Sequence, residues 1–271
     1  MSPPAERAFP LRHAAALGLL HGPAELLPVS SSGHVELVPW LAGWPYARLG
    51  PELRKSFEVA LHAGTAAALL VALRDEVGEA SSGLDRRRVA LIVLSTLPPA
   101  AAALALEERI ERDASSPRAI ALGLLLGSAA MVAAELAPPR ARRPRSAAGA
   151  VDGLALGVAQ ACALVPGVSR NGATVVAARL RGFSREDANV LSRHVALPVI
   201  AGAAALKGYR LARGGLPRGL AAPFAAGTAA SFASTLASAW LVRIADRGHS
   251  LLPYAAYRTA LATIVLRRRS R

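Results

Sequence analysis

Six apolar runs, at 56–73, 89–106, 118–137, 188–206, 219–241 and 250–266, set the first limit on how this chain can fold. Each approaches the roughly 17–25 residues that a helix needs to cross a bilayer. Lipid offers the backbone no hydrogen-bond partners, so spans of this composition must satisfy themselves as helices rather than as open strands. A mean hydropathy of +0.34 agrees with that reading. Gly, Ala and Ser recur inside the runs and let helices approach closely. The expected class is an all-α polytopic membrane protein.

The net charge of +14 does not point to nucleic acid. The arginines stand beside apolar runs: Arg86, Arg87 and Arg88; Arg140, Arg142, Arg143 and Arg145; Arg267, Arg268, Arg269 and Arg271. Clusters so placed follow from the positive-inside bias and from attraction to anionic headgroups. Aromatic residues make up only 4% of the chain, too few for the stacking platforms of a nucleic-acid binder. Membrane lipids are the expected partners. The single Cys162 can form no internal disulfide and is expected to be small packing filler. The N-terminal "MSPPAERAFPLRH" lacks a cleavable signal pattern, so the first spans should direct insertion.

Two polar stretches interrupt this pattern: "ELLPVSSSGHVEL" (25–37) and "LVPGVSRNGATVV" (164–176). They are weakly repeated, "LPVSSSG" (27–33) matching "VPGVSRNG" (165–172). Further on, "EVAL" (58–61) matches "HVAL" (194–197) at nearly the same offset. Duplicated halves with corresponding Pro/Gly breaks point to a binding site in a membrane protein. Pro28 removes a helix donor, and Gly33, Gly167 and Gly172 permit tight loops. Each stretch should form a helix–loop–helix unit that enters the membrane and turns back, its loop facing a hydrated cavity. Repeat one then covers about 8–137, a basic linker 138–148 and repeat two about 149–266, within one integral membrane domain. Flanking charge favours units that cross once, against this turning-back arrangement, and sidedness stays open.

Either stretch alone would read as an ordinary inter-helix loop. Together they bring Glu25, His34 and Arg170 to hydrophobic depth, where ionisable groups are costly and usually functional. Arg170 offers a planar fork that matches phosphate oxygens. Ser169, Thr174 and the amides around Gly172 and Ala173 could complete an anion cradle. In the first loop, Ser30, Ser31 and Ser32 offer hydroxyls, with His34 nearby as a base. Glu25 could orient His34, act as base itself or bind a divalent cation, and His34 could attack phosphorus directly. Quieter readings exist: one serine as a helix N-cap, His34 as a structural histidine, Arg170 as a snorkelling interface residue. Glu58, His62 and His194 could line the cavity, Glu58 first because an unpaired buried carboxylate is costly. His21 lies one helical turn before Glu25 and shares its face.

At these residues the chain resembles the undecaprenyl-diphosphate phosphatase family, the bacitracin-resistance proteins of bacterial membranes. The resemblance is carried by "HGPAELLPVSSSGH" (21–34), "PGVSRNGAT" (166–174) and "KSFEVALHAGTAAAL" (55–69). It implies hydrolysis of undecaprenyl diphosphate to the monophosphate, recycling a carrier lipid of cell-wall synthesis at the bacterial inner membrane. It also implies two inverted repeats, each a re-entrant helix–loop–helix followed by three transmembrane helices, and a site that opens outward. Catalytic roles carry to Glu25, Ser30, Ser31, His34 and Arg170. Substrate binding carries to Ser169, Arg170, Asn171, Gly172 and Thr174, with His21 and Glu58 beside them. Magnesium or calcium is the implied cofactor, with Glu25 as a ligand, and a homodimer is left open. Two departures mark a divergent member: His21 replaces a glutamate and Asn171 a serine, while His62 stands where glutamine is common. The alternatives are a polyprenyl-phosphate transporter or flippase and a phosphatase for another lipid phosphate.

Overall fold

The computed structural model describes residues 9–74, 78, 85–137, 143–214, 216, 219–246 and 249–268. Arg140, Arg142, Arg269 and Arg271 of the basic clusters lie outside these residues. Among the described residues there are eleven α-helices and no strand. They are α1 (Leu11–Leu26), α2 (Ser31–Ala42), α3 (Pro51–Ala72), α4 (Arg86–Asp113), α5 (Pro117–Leu136), α6 (Ala150–Cys162), α7 (Arg170–Leu180), α8 (Arg185–Gly214), α9 (Ala221–Ala237), α10 (Trp240–Asp246) and α11 (Leu252–Arg267). This is the all-helical, apolar architecture of a membrane protein.

Both polar stretches fall at helix breaks, between α1 and α2 and between α6 and α7. At 1.5 Å per residue the 16 residues of α1 and the 13 of α6 fall short of the ~30 Å hydrocarbon layer. Two segments, Arg86–Leu106 and Pro117–Leu136, are long and apolar enough to cross a membrane. The other expected runs also lie on helices, but α3 and α8 open with charged turns that lower their hydropathy. The run at 219–241 is not one helix: α9 ends at Ala237 and α10 begins at Trp240. Near that break the Ser234 and Thr235 hydroxyls donate to the Ser231 carbonyl at 3.2 and 2.7 Å, competing with the helix ladder. Cys162 is also a correction, since it ends α6 exposed instead of filling the core.

The helices pack by exchange between the two halves: α1 lies along α9, and α6 lies along α4. Both seams use glycine to bring backbones together. On α1, a Cβ at Gly18 or Gly22 would strike the backbone or side chains of α9. On α6, one at Gly153 or Gly157 would strike the Leu91 or Leu94 carbonyl of α4. Lipid gives helices no hydrophobic reason to associate, so such close contact and its dispersion energy hold the bundle together. The prolines of α4 add a polar tie. Pro99 cannot donate to the Ser95 carbonyl, and Gln160 of α6 donates to it instead, at 3.0 Å.

The linker is held at the N-terminal end of α6 by Asp152. Its Oδ1 accepts from Arg143 at 3.0 Å and from Arg181 at 2.8 Å. Its Oδ2 accepts from Arg143 at 2.9 Å and from the Gly149 amide at 3.0 Å. These donors outweigh burial and hold the carboxyl at about 2 instead of 3.8. A depressed folded-state pKa gives stability that is complete above the unfolded value and lost as pH falls through the folded one. The native chain should therefore melt higher than Asp152→Asn near neutral pH, and the gap should close between about pH 4 and pH 2 in detergent melts. Gly18→Val should cost about 1–3 kcal/mol by overpacking the α1–α9 seam, read as a lowered midpoint in the same melts.

Candidate active site

The loop between α1 and α2 is held in a conformation that most residues avoid. Ser30 has φ +75°, in the left-handed region, where a non-glycine residue is strained. Two contacts hold it there: its hydroxyl caps α2 by accepting from the Gly33 amide at 3.3 Å, and its carbonyl meets His34 Nδ1 at 2.7 Å. In the loop between α6 and α7, Gly167 adopts φ +93° against the Ile120 carbonyl of α5, where a Cβ would not fit. Ser169 then caps α7 by accepting from the Gly172 amide at 3.1 Å. Two helix N-termini thus open beside one cavity, whose wall includes Ser30, Ser31, Ser169 and Arg170.

One residue that the sequence reading missed joins both loops. Arg258 of α11 is fully buried. It donates to the Pro28 carbonyl of the first loop at 3.2 Å and to the Gly167 carbonyl of the second at 3.0 Å. It also reaches the Leu124 carbonyl of α5 at 3.2 Å. Gly127 of α5 leaves space for the guanidinium. The signal was present, because an arginine inside the run 250–266 meets the criterion of an ionisable group at hydrophobic depth.

Glu25, at the end of α1, is the centre of the site. It is buried, forms an ion pair with Arg170 through Oε1 and accepts the Ser31 hydroxyl hydrogen at Oε2. His62 Nε2 of α3 lies 3.4 Å from the same Oε2. Residues 25, 31, 62 and 170 come from four helices, so only the tertiary fold assembles them. Their cavity is about 470 Å³, and its wall carries two further ion pairs, Arg54–Glu36 and Lys55–Glu58. Each cation on this wall thus has a carboxylate beside it. The same wall also carries apolar residues, among them Pro99, Ala103 and Leu104 of α4 and Val199, Ala203 and Leu206 of α8.

The other sequence candidates are placed as follows. His34 does not meet a serine hydroxyl; its Nε2 bonds the Tyr257 hydroxyl at 2.7 Å. Of the three serines, Ser31 is the one whose hydroxyl meets a carboxylate, that of Glu25. Asn171 donates to the Leu26 carbonyl at 3.1 Å and accepts from Ser192 at 3.0 Å, so it ties α7 to the end of α1. Thr174 donates back to the Arg170 carbonyl at 2.9 Å, one turn inside α7, and Gly172 is buried beneath the cap. Glu58 and His62 line the cavity. His21 sits fully buried beside them, its ring 4.5 Å from that of His62 and its Nδ1 3.0 Å from Thr65 Oγ1.

The description "Bacitracin resistance protein BacA" belongs to a family model that matches residues 14–264, nearly the whole chain. The chain belongs to the BacA family. Among its relatives, the undecaprenyl-diphosphatase of Geobacter sulfurreducens is 40% identical, with 94% of this chain and 97% of the relative covered. That of Pelobacter propionicus is 38% identical over 92% and 93%. The undecaprenyl-diphosphatase 1 of Rhodospirillum rubrum is 37% identical over 92% of each.

In this BacA chain the loop geometry rests on Arg258. Arg258→Met would strip the donor from the Pro28 and Gly167 carbonyls, each worth about 1–3 kcal/mol when left unsatisfied, while the Leu124 carbonyl keeps the Ser128 hydroxyl at 2.8 Å. A loss of at least about 2 kcal/mol is the expected outcome in detergent unfolding, well beyond that of an exposed Arg→Met change such as Arg118→Met.

Proposed function

We propose that this chain is a multi-pass phosphatase of the bacterial inner membrane that hydrolyses undecaprenyl diphosphate to undecaprenyl phosphate and inorganic phosphate. The observation that carries the reading is the convergence of Ser31 and Arg170 on Glu25, in a cavity that two helix N-termini flank. The diphosphate headgroup would enter the polar end, with its long tail between α4 and α8. The fit is chemical as well as spatial. Arg170 uses one nitrogen on Glu25 and has further N–H groups for phosphate, and helix N-termini favour anions.

In the proposed mechanism Ser31 Oγ attacks the terminal phosphorus and passes its proton to Glu25. The bond from that phosphorus to the bridging oxygen breaks, and undecaprenyl phosphate leaves with the electron pair. The proton on Glu25 passes to the leaving phosphate, and the freed carboxylate then deprotonates a water that attacks the phosphoserine phosphorus. The P–Oγ bond breaks, inorganic phosphate is released and Ser31 Oγ takes the proton back from Glu25. Arg170 and the amides of α2 and α7 stabilise the charge on the transferring group, where positioning and electrostatics do most of the catalytic work. A divalent cation is implied by the family. The residues fit to hold one are His21, Glu25 and His62, whose ligand atoms lie within 4.8 Å of one another. When bound, it would add positive charge at the diphosphate. His34 acts by holding the Ser30 carbonyl, and Asn171 by fixing one half to the other.

The same reading includes two inverted repeats, each a re-entrant unit followed by three spans. The reciprocal packing of α1 on α9 and α6 on α4 supports it. A transport role has one specific observation in its favour: a smaller void of about 40 Å³ shares Glu25, Arg170 and Asn171 with the main cavity. Liposomes discriminate, since movement of polyprenyl phosphate without phosphate release would favour transport. For hydrolysis, Glu25→Gln is expected to lower phosphate release from undecaprenyl diphosphate about 10²–10⁴-fold. Arg170→Ala is expected to lower it about 10²–10³-fold. Both variants should stay folded by size-exclusion chromatography, and full turnover by either would refute its assigned role.

A further inference from the structure

The ligand atoms around Glu25 do not suit the hard cation that the family resemblance implies. Two of the three are imidazole nitrogens, from His21 and His62. Magnesium and calcium take oxygen ligands, whereas imidazole combined with carboxylate suits zinc and its transition-metal neighbours.

The hydrogen bonds behind the two rings strengthen the point. His62 Nδ1 lies 2.9 Å from the Glu58 carbonyl, which can only accept, so Nδ1 carries the hydrogen. In the neutral ring the lone pair is then on Nε2, 3.4 Å from Glu25 Oε2, where a bound cation would take the place of the proton that otherwise joins the two. On His21, Nδ1 lies 3.0 Å from Thr65 Oγ1, which in turn meets Ser231 Oγ at 2.8 Å. Ser231 gives its own hydrogen to the Leu61 carbonyl at 2.9 Å, and Thr235 gives its hydrogen to the Ser231 carbonyl at 2.7 Å. Both are therefore acceptors for Thr65, and the relay is complete when His21 Nδ1–H donates into it. That leaves His21 Nε2 as a lone pair, fully buried and without a hydrogen-bond partner in the described structure. A buried polar atom of that kind is costly unless something binds it. Histidines that bind metals typically have the other ring N–H held in this way.

The geometry points to a divalent transition-metal site of the zinc class, built from His21 Nε2, His62 Nε2 and a Glu25 oxygen, in place of a magnesium or calcium site. Three protein ligands are the set used by catalytic zinc sites that keep one position for water or substrate. The inference deepens the phosphatase reading, because Glu25 serves both. The substitution of histidine at position 21 then becomes an exchange of metal preference, with a polar pocket of Thr65, Ser231 and Thr235 built behind it.

The test uses the full-length chain in detergent, stripped with a chelator and titrated with cobalt(II), whose visible spectrum reports coordination. One equivalent should give the intense ligand-field absorption of a four-coordinate site. Zinc should abolish it at one equivalent, and a large excess of magnesium should leave it unchanged. Thr65→Val should weaken cobalt binding roughly 10–100-fold, as loss of a supporting hydrogen bond does, and His21→Gln or His62→Gln should weaken it more. His21→Glu should shift preference towards magnesium. Weak, aquo-like absorption from the native chain, displacement of cobalt by magnesium, or native titration by both glutamine variants would overturn the site. The native titration decides the matter even if a variant does not fold. Cobalt binding without lipid phosphate release would sink hydrolysis and leave the site standing. Full turnover with magnesium in the stripped chain would do the reverse.

Discussion

Backbone groups freed at interrupted helices govern this structure. A continuous helix in lipid satisfies its own amides and carbonyls, whereas a broken one exposes both kinds at the break. Here the carbonyls are taken up by side chains from elsewhere in the fold: Arg258 on Pro28 and Gly167, Asn171 on Leu26, Gln160 on Ser95. The amides at the starts of α2 and α7 are capped by Ser30 and Ser169 beside the cavity. The same breaks that burden the fold therefore place two helix N-termini beside the cavity.

Charge in the cavity follows a related economy. Arg170, Arg54 and Lys55 each stand against a carboxylate, Glu25, Glu36 and Glu58 respectively. Isolated buried charges would be expensive, and pairing lowers that cost without removing the donors a phosphate could use. Glu25 has the most partners of the three, being in contact with Arg170, Ser31 and His62. It joins the two halves of the chain, through Arg170 on one side and Ser31 and His62 on the other.

Much of this was legible in the chain itself. The two polar stretches identify the breaks, because each concentrates proline, glycine and serine with ionisable residues within a few positions of an apolar chain. Glu25 and Arg170 stand out by their charge at hydrophobic depth. Other parts were not legible. Ser30, Ser31 and Ser32 are equivalent in sequence, and only the turn of α2 sends Ser31 to Glu25 while Ser30 caps the helix. His34 looked like the base for a serine by proximity, yet its ring is held between Ser30 and Tyr257, a residue far along the chain.

The sequence by itself determined the helical class, the positions of the two breaks and the polar and ionisable residues beside them, because hydropathy and turn chemistry are local properties. The tertiary structure alone decided which groups meet. Arg258 between two loops, His21 against Thr65 and Ser231, and α1 along α9 join residues more than a hundred positions apart or on different helices. Such pairings depend on close packing and on satisfying every buried polar atom at once, and no local pattern encodes that condition.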